Sequence, residues 1–124
     1  MIDVKDLLKN DFIEKEVTVQ GWVRNHRKQK DFGFIDFNDG TCFKNLQIVY
    51  DNNLSNFEDI QKIHVGSAIT ASGKIIKSEG AGQDFELKLM DIKLEGDKEK
   101  LAQILEENKR SYMEYSKKIF RKRI

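Results

Sequence analysis

The chain has 124 residues, of which 39% are hydrophobic and 35% charged, so it can form one domain with a real core and a short additional segment. Its 22 basic and 21 acidic residues leave a net charge of +1, which excludes binding to nucleic acid through bulk positive charge. A single cysteine excludes a disulfide framework and a cysteine-based zinc site. No apolar run has the length of a membrane span or the pattern of a signal peptide, so we expect a cytoplasmic protein that does not associate with membranes.

The composition of the chain changes near residue 96. Residues 1–94 carry a net charge of −2 and many β-branched and aromatic side chains, whereas residues 95–124 carry a net charge of +3 and long helix-forming side chains. We therefore expect a helical lead-in at 1–13, a β-rich domain at 14–96 and a basic C-terminal helix at 97–124.

Helical and period-two patterns predict the elements between these boundaries. The first helix begins with Asp3 as its N-cap and turns Leu7 and Leu8 inward, and Asn53 or Ser55 could cap the second. An Asp-Gly turn at 38–40 follows the second strand, and a loop at 78–83 follows the fourth. In chain order, the predicted elements are a helix at 4–9, strands at 16–28, 32–37 and 46–50, a helix at 54–63, and strands at 65–77 and 85–94.

This β-β-β-α-β-β order is the layout of the OB-fold, a small five-stranded barrel. The fold class is thus mainly β with flanking helices. Gly21, Gly33 and Gly73 lie within strands, where glycine fits the sharp coiling that closes a small barrel.

No group of residues suggests catalysis, a metal site or a cofactor site. His26 and His64 belong to different elements, and we expect each on the surface or the rim of the barrel. The glycines at 80 and 82 follow a strand without opening a helix, which favours a hairpin loop over a phosphate-binding loop. Cys42 follows the turn and is expected to be a small, partly buried side chain.

A cluster of cations precedes the aromatic second strand. Arg24, Arg27, Lys28 and Lys30 lie at the tip of the first hairpin, where cations attract a phosphate backbone. Alternation puts Phe32, Phe34 and Asp36 on one face of the second strand, and Ile35 and Phe37 are needed in the core. Phe34 then points outward and offers a stacking surface to an unpaired base. In the alternative interpretation, Phe34 covers a barrel end and the cations belong to a solvated loop.

Gln47 interrupts an otherwise apolar strand. Its amide offers a donor and an acceptor together, which matches the edge of a uracil or an adenine. The alternative is an ordinary exposed strand glutamine.

Several sequence strings resemble the N-terminal anticodon-binding domain of asparaginyl-tRNA synthetases. The related aspartyl and lysyl enzymes share the Gly-Trp-Val start, whereas the string at 38–47 is typical of the asparaginyl type. The resemblance covers about residues 14–96, and residues 97–124 depart from the linker of that family. The strings are VQGWVR at 19–24, FGFI at 32–35, NDGTCFKNLQ at 38–47, LSNF at 54–57, VGSA at 65–68 and FELK at 85–88.

The resemblance implies roles for individual residues. Phe34 matches the aromatic residue that stacks on the central anticodon base, a uracil, and Gln47 matches the side chain that reads the edge of that uracil. Arg27 matches a basic residue that contacts the anticodon loop nearby, and Glu86 lies where the family reads the third anticodon base. The partner would be tRNA, and ATP and Mg²⁺ would be needed only by a catalytic domain that this chain does not contain.

Three functions therefore stay open at this point: a tRNA anticodon reader without catalysis of its own, a general single-strand binder using the same face, and an assembly module. In the last case, the helix at 97–124 would form the interface, for example in a homodimer; it could also pack on the barrel or touch RNA.

Overall fold

The computed structural model describes residues 1–78 and 84–96, and within them the predicted order of elements is confirmed. The predicted helix at 97–124 and all of the predicted loop except Ser78 lie outside the described residues. The elements are α1 (Val4–Lys9), β1 (Glu16–Lys28), β2 (Phe32–Asn38), β3 (Leu46–Asp51), α2 (Phe57–Gln61), β4 (Ala68–Lys77) and β5 (Phe85–Gly96).

The five strands close into a barrel in the order β1-β2-β3-β5-β4. All neighbouring strands are antiparallel except β3 and β5, which run parallel where Ile48 pairs with Leu87 and Val49 with Lys88. Closure pairs the edges that an open sheet would leave exposed. The mainly β class and the OB-fold predicted from the sequence are thereby confirmed.

Alternation along each strand fills the barrel. On β2, Gly33, Ile35 and Phe37 are buried, and the intervening residues face outward. The core therefore has the period that the sequence predicted. Among the described residues, the largest fully buried side chains are Tyr50, Phe37, Leu7, Ile35, Ile48, Ile60, Ile69, Ile75, Leu87, Val4 and Val19.

Two strand glycines mark places where another chain segment approaches closely. A Cβ atom at Gly33 would collide with the Tyr50 ring, and one at Gly73 would collide with the Lys88 carbonyl across the β4–β5 pairing. A side chain at Gly73 would displace the backbone of β5, and one at Gly33 would displace the Tyr50 ring, so glycine fits both positions best.

Strand β4 begins three residues later than predicted, at Ala68. Residues 64–67 form a turn instead, in which Gly66 has a φ of 90°. Val23 anchors this turn, because its N–H donates to the Ser67 carbonyl (3.0 Å) and its carbonyl accepts from the Gly66 N–H (2.8 Å). The apolar Val65 therefore belongs to an exposed turn.

Helix α2 is shorter than the predicted helix at 54–63, although the apolar spacing was correct. Phe57 N–H bonds the Leu54 carbonyl and Ile63 N–H bonds the Ile60 carbonyl, both at 3.1 Å and with the three-residue separation of tight turns. Leu54, Phe57, Ile60 and Ile63 all pack on the core. The N-cap is Asn56, whose side chain makes no capping bond, so neither predicted cap is used.

Candidate nucleic-acid interface

A groove of about 640 Å³ runs over the outer side of the barrel, where β3 meets β5. All five strands contribute side chains to it, so the closed barrel holds its walls in a fixed relation. The lining residues are Arg27, Phe34, Gln47, Val49, Tyr50, Asp51, Ile76, Lys77, Glu86 and Lys88.

Phe34 faces this groove from the outer side of β2. Phe32, Phe34 and Asp36 share that face, as the alternation predicted. The Phe32 ring is 42% exposed and meets the Phe34 ring edge to face, with 5.5 Å between the centroids. Phe34 is therefore a half-buried ring in the groove wall, and Phe32 supports it without lining the groove.

Arg27 connects three side chains on the outer face. It pairs with Phe34 across the β1–β2 register, and its guanidinium lies 5.0 Å from the centroid of the Phe34 ring. Its Nη2 atom lies 3.5 Å from the Asp36 carboxylate and donates a hydrogen bond to Gln47 Oε1 (2.8 Å). These contacts hold the cation over the ring, where the negative π face attracts it.

The Gln47 amide continues this network to the opposite wall of the groove. Gln47 Nε2 donates to Glu86 Oε2 at 2.7 Å, so the hydrogen bonds run from Arg27 through Gln47 to Glu86. The parallel pairing of β3 with β5 brings Gln47 and Glu86 together, although they are 39 residues apart in sequence. Hydrogen bonds thus connect three residues of the predicted site, Arg27, Gln47 and Glu86.

The other predicted cations do not line the groove. Arg24, Lys28 and Lys30 are exposed on β1 and in the loop after it, and the β1–β2 register shifts between Val23 and Asn25, at Arg24. Sequence reasoning instead missed Lys77 and Lys88, two exposed lysines in the groove lining. A signal for Lys88 was present, because period-two alternation puts it on the same face of β5 as Glu86.

His26 is half-buried and does not line the groove. Its Nδ1–H donates to the Ile63 carbonyl (2.9 Å), which can only accept, and its Nε2 then accepts from the Tyr50 hydroxyl (2.6 Å). Burial lowers the pKa of His26, and the nearby Lys28 acts in the same direction, whereas the bond to Ile63 opposes them. His26 therefore joins β1, β3 and the end of the α2 segment in its neutral form.

Other features of the described residues suggest no chemistry. Residues 1–78 and 84–96 contain no cluster of three His, Cys, Asp or Glu side chains that could hold a metal ion. Cys42 is buried, and burial raises the pKa of its thiol. In the same part of the chain, every helix is too short or too polar to cross a bilayer.

The barrel and its groove correspond to a known class of protein. A family model described as an OB-fold nucleic acid binding domain, of the tRNA anticodon type, matches residues 17–95. The chain belongs to this family.

Within that class, the chain is similar to asparagine--tRNA ligases, as the resemblance predicted. The ligase of Acetivibrio thermocellus is 53% identical over 96 residues, which are 75% of this chain and 21% of the ligase. The ligase of Alkaliphilus metalliredigens is 38% identical over 120 residues, 95% of this chain and 26% of the ligase. A match of that length continues past Gly96, where we expected the similarity to end.

A solved structure shares the fold. The asparaginyl-tRNA synthetase from Pyrococcus horikoshii superposes with a TM-score of 0.61 and 18% identity, over 83% of this chain and 27% of the synthetase. The chain spans about a fifth to a quarter of the length of the curated relatives described here.

Proposed function

We propose that the chain binds the anticodon loop of an asparagine-type tRNA and reads its central uracil, without catalysing a reaction itself. The proximity of the Phe34 ring, the Arg27 guanidinium and the Gln47 amide in one groove carries this proposal. Membership of a nucleic-acid-binding family and similarity to asparagine--tRNA ligases support it.

Each of these side chains offers a different interaction to an unpaired nucleotide. The Phe34 ring provides a π surface, and stacking a base on such a ring contributes about 1–3 kcal/mol. Arg27 supplies positive charge beside the ring. Arg24, Lys28 and Lys30 supply further charge along the phosphate backbone, and Phe32 keeps Phe34 in place from its edge.

The Gln47 amide reads the base edge. One lone pair of its oxygen is used by Arg27 and one hydrogen of its nitrogen by Glu86, which leaves one lone pair and one hydrogen. The free lone pair and the free hydrogen together match a base edge that presents neighbouring donor and acceptor atoms. The reading of the third anticodon base by Glu86 stays a prediction.

We expect no aminoacylation by these 124 residues. The chain spans about a fifth to a quarter of its ligase relatives, so ATP and Mg²⁺ are needed only where a catalytic domain is present. An ATP-dependent aminoacylation assay on the purified chain should show no turnover.

The cytoplasm, where tRNA is charged, is the proposed location. A homodimer through residues 97–124 stays a prediction that sedimentation can test.

Binding to labelled anticodon stem-loops tests the proposal. We expect Phe34→Ala to weaken binding to a uracil-centred loop by more than tenfold, because the stacking surface is lost. Phe43→Ala is the matched control, since it removes a ring that is 48% exposed and lies outside the groove. Its affinity should remain that of the wild type.

Two results would contradict anticodon reading. Equal affinity for a stem-loop with a scrambled anticodon would reject sequence reading. Polypyrimidine DNA binding as tightly as the stem-loop would favour a general single-strand binder instead.

A further inference from the structure

The Gln47 amide lies between a group that can only donate and a group that can only accept. The Arg27 guanidinium has no acceptor atom, and it donates to Gln47 Oε1 at 2.8 Å. A carboxylate has no donor, and that of Glu86 accepts from Gln47 Nε2 at 2.7 Å. The hydrogen-bond network alone therefore assigns the orientation of this amide.

Turning the amide through 180° would create two repulsive contacts. The amide N–H groups would face the guanidinium N–H groups, and the amide oxygen would face the carboxylate. Arg27 cannot easily turn away, because Asp36 holds it at 3.5 Å and its guanidinium lies over the Phe34 ring. Both ends of the amide are thus fixed by charged neighbours, whose hydrogen bonds are stronger than neutral ones.

A fixed amide distinguishes two pyrimidines that have nearly the same shape. At ring positions 4 and 3, uracil presents an acceptor and then a donor, whereas cytosine presents a donor and then an acceptor. One amide orientation matches only one of these orders when the base is held stacked in one position. The wrong pyrimidine leaves polar groups facing like groups, so it loses the hydrogen bonds that the right pyrimidine makes with the amide.

From these contacts we infer that Arg27 and Glu86 fix the polarity of the Gln47 amide, and that this fixed polarity makes the groove select uracil over cytosine. The inference rests on the proposed function and adds a role for Glu86 as a positioning residue. Because Glu86 acts through Gln47, it should change the preference between uracil and cytosine and not the overall affinity for RNA.

The test uses two anticodon stem-loops that differ only in a central uracil or cytosine. The wild type should prefer uracil by at least about tenfold, the range of a good bidentate contact. In Glu86→Gln, the new amide can donate or accept, so one of the two repulsive contacts against the turned Gln47 amide disappears. We expect the uracil preference to fall by about tenfold, mainly through tighter binding of the cytosine loop.

Two further variants separate this role from structural damage. Lys88→Gln lies in the same groove and should weaken both loops equally, which leaves the preference unchanged. Glu86→Asp keeps an acceptor-only group and should retain more of the preference than Glu86→Gln. Thermal unfolding checks that each variant is folded before its binding is compared.

The outcomes distinguish this inference from the proposed function. If folded Glu86→Gln keeps the wild-type preference, or loses affinity for both loops in the same proportion, the inference is overturned and the proposed function stands. If the wild type binds both loops equally or binds neither, both are overturned.

Discussion

His26 connects three parts of the barrel through two hydrogen bonds of its ring. It bonds the Ile63 carbonyl on one side and the hydroxyl of the buried Tyr50 side chain on the other. The neutral ring satisfies both contacts, whereas a protonated ring would carry a half-buried charge beside Lys28. Acidification should therefore weaken the contacts that His26 makes with Ile63 and Tyr50.

The lowered pKa of His26 predicts a loss of stability in acid. Because the folded state binds this proton less tightly than the unfolded chain, the free energy of unfolding should fall as the pH drops through 6.5, the ordinary value, towards the lower pKa of the folded state. Denaturant titrations between about pH 8 and pH 5.5 measure this fall.

The matched variants are His26→Gln and His64→Gln. A glutamine at position 26 does not titrate, so its curve should be flatter than that of the wild type. His64 is exposed, and its replacement controls for the loss of an imidazole that bonds neither Ile63 nor Tyr50. An equal fall in wild type and His26→Gln would contradict the role given to His26.

At the scale of elements, helix α1 depends on a loop that lies far away in sequence. Its six residues are too few for a stable isolated helix. Asp39 Oδ2 accepts from the Val4 N–H (2.8 Å) and Thr41 Oγ1 accepts from the Lys5 N–H (3.1 Å), so residues 39–41 cap its first turn. Asp3 occupies the N-cap position, but its side chain makes no capping bond.

This tertiary cap predicts that replacing Asp39 lowers stability, whereas replacing Asp3 does not. Asp39→Ala should lower the free energy of unfolding by about 2 kcal/mol, because buried N–H groups of Val4 and Thr41 lose their acceptor. Burial, and then the nearby Asp39 and Asp6, raise the pKa of Asp3, so its charged form is disfavoured in the folded state. Asp3→Asn should therefore not lower stability at neutral pH.

Denaturant unfolding of the two variants measures the difference. A larger loss for Asp3→Asn than for Asp39→Ala would mean that the local side chain caps the helix after all.

Elements with local signals could be predicted from the sequence. The bounds of α1 are the predicted ones, and the outward direction of Phe34 followed from the need to bury Ile35 and Phe37. The predicted inward direction of Leu8 was wrong. This side chain is 36% exposed, because consecutive helix residues are rotated by about 100° and Leu7 already faces the core.

Features that depend on the closed barrel could not be predicted. The contact of Gln47 with Glu86 requires the parallel pairing of β3 with β5, which no local pattern encodes. The capping of α1 by residues 39–41 likewise joins segments 35 and 36 residues apart. The string at 38–47, which resembles the asparaginyl family, therefore contains the residues that cap α1.

At the scale of the whole molecule, cations lie on two sides of the groove although the net charge of the chain is only +1, and Asp51 and Glu86 lie between them in the lining. Arg24, Lys28 and Lys30 lie on the β1 side, and Lys77 and Lys88 line the groove from β4 and β5. A strand lying in the groove would pass between these two groups of cations, so we expect phosphate contacts on both sides.

Phosphate contacts on the β4–β5 side predict a specific salt dependence. Each cation that neutralises a phosphate of a single strand contributes about −0.7 to the slope of log K against log salt. Lys77→Gln and Lys88→Gln should each make the slope shallower by about 0.7 and lower the affinity for all loop sequences alike. Lys9→Gln, at the end of α1 and outside the groove, is the matched control and should leave the slope unchanged. Titrations of one stem-loop between about 50 and 200 mM salt measure these slopes, and an unchanged slope in both groove variants would confine the RNA path to the β1 side.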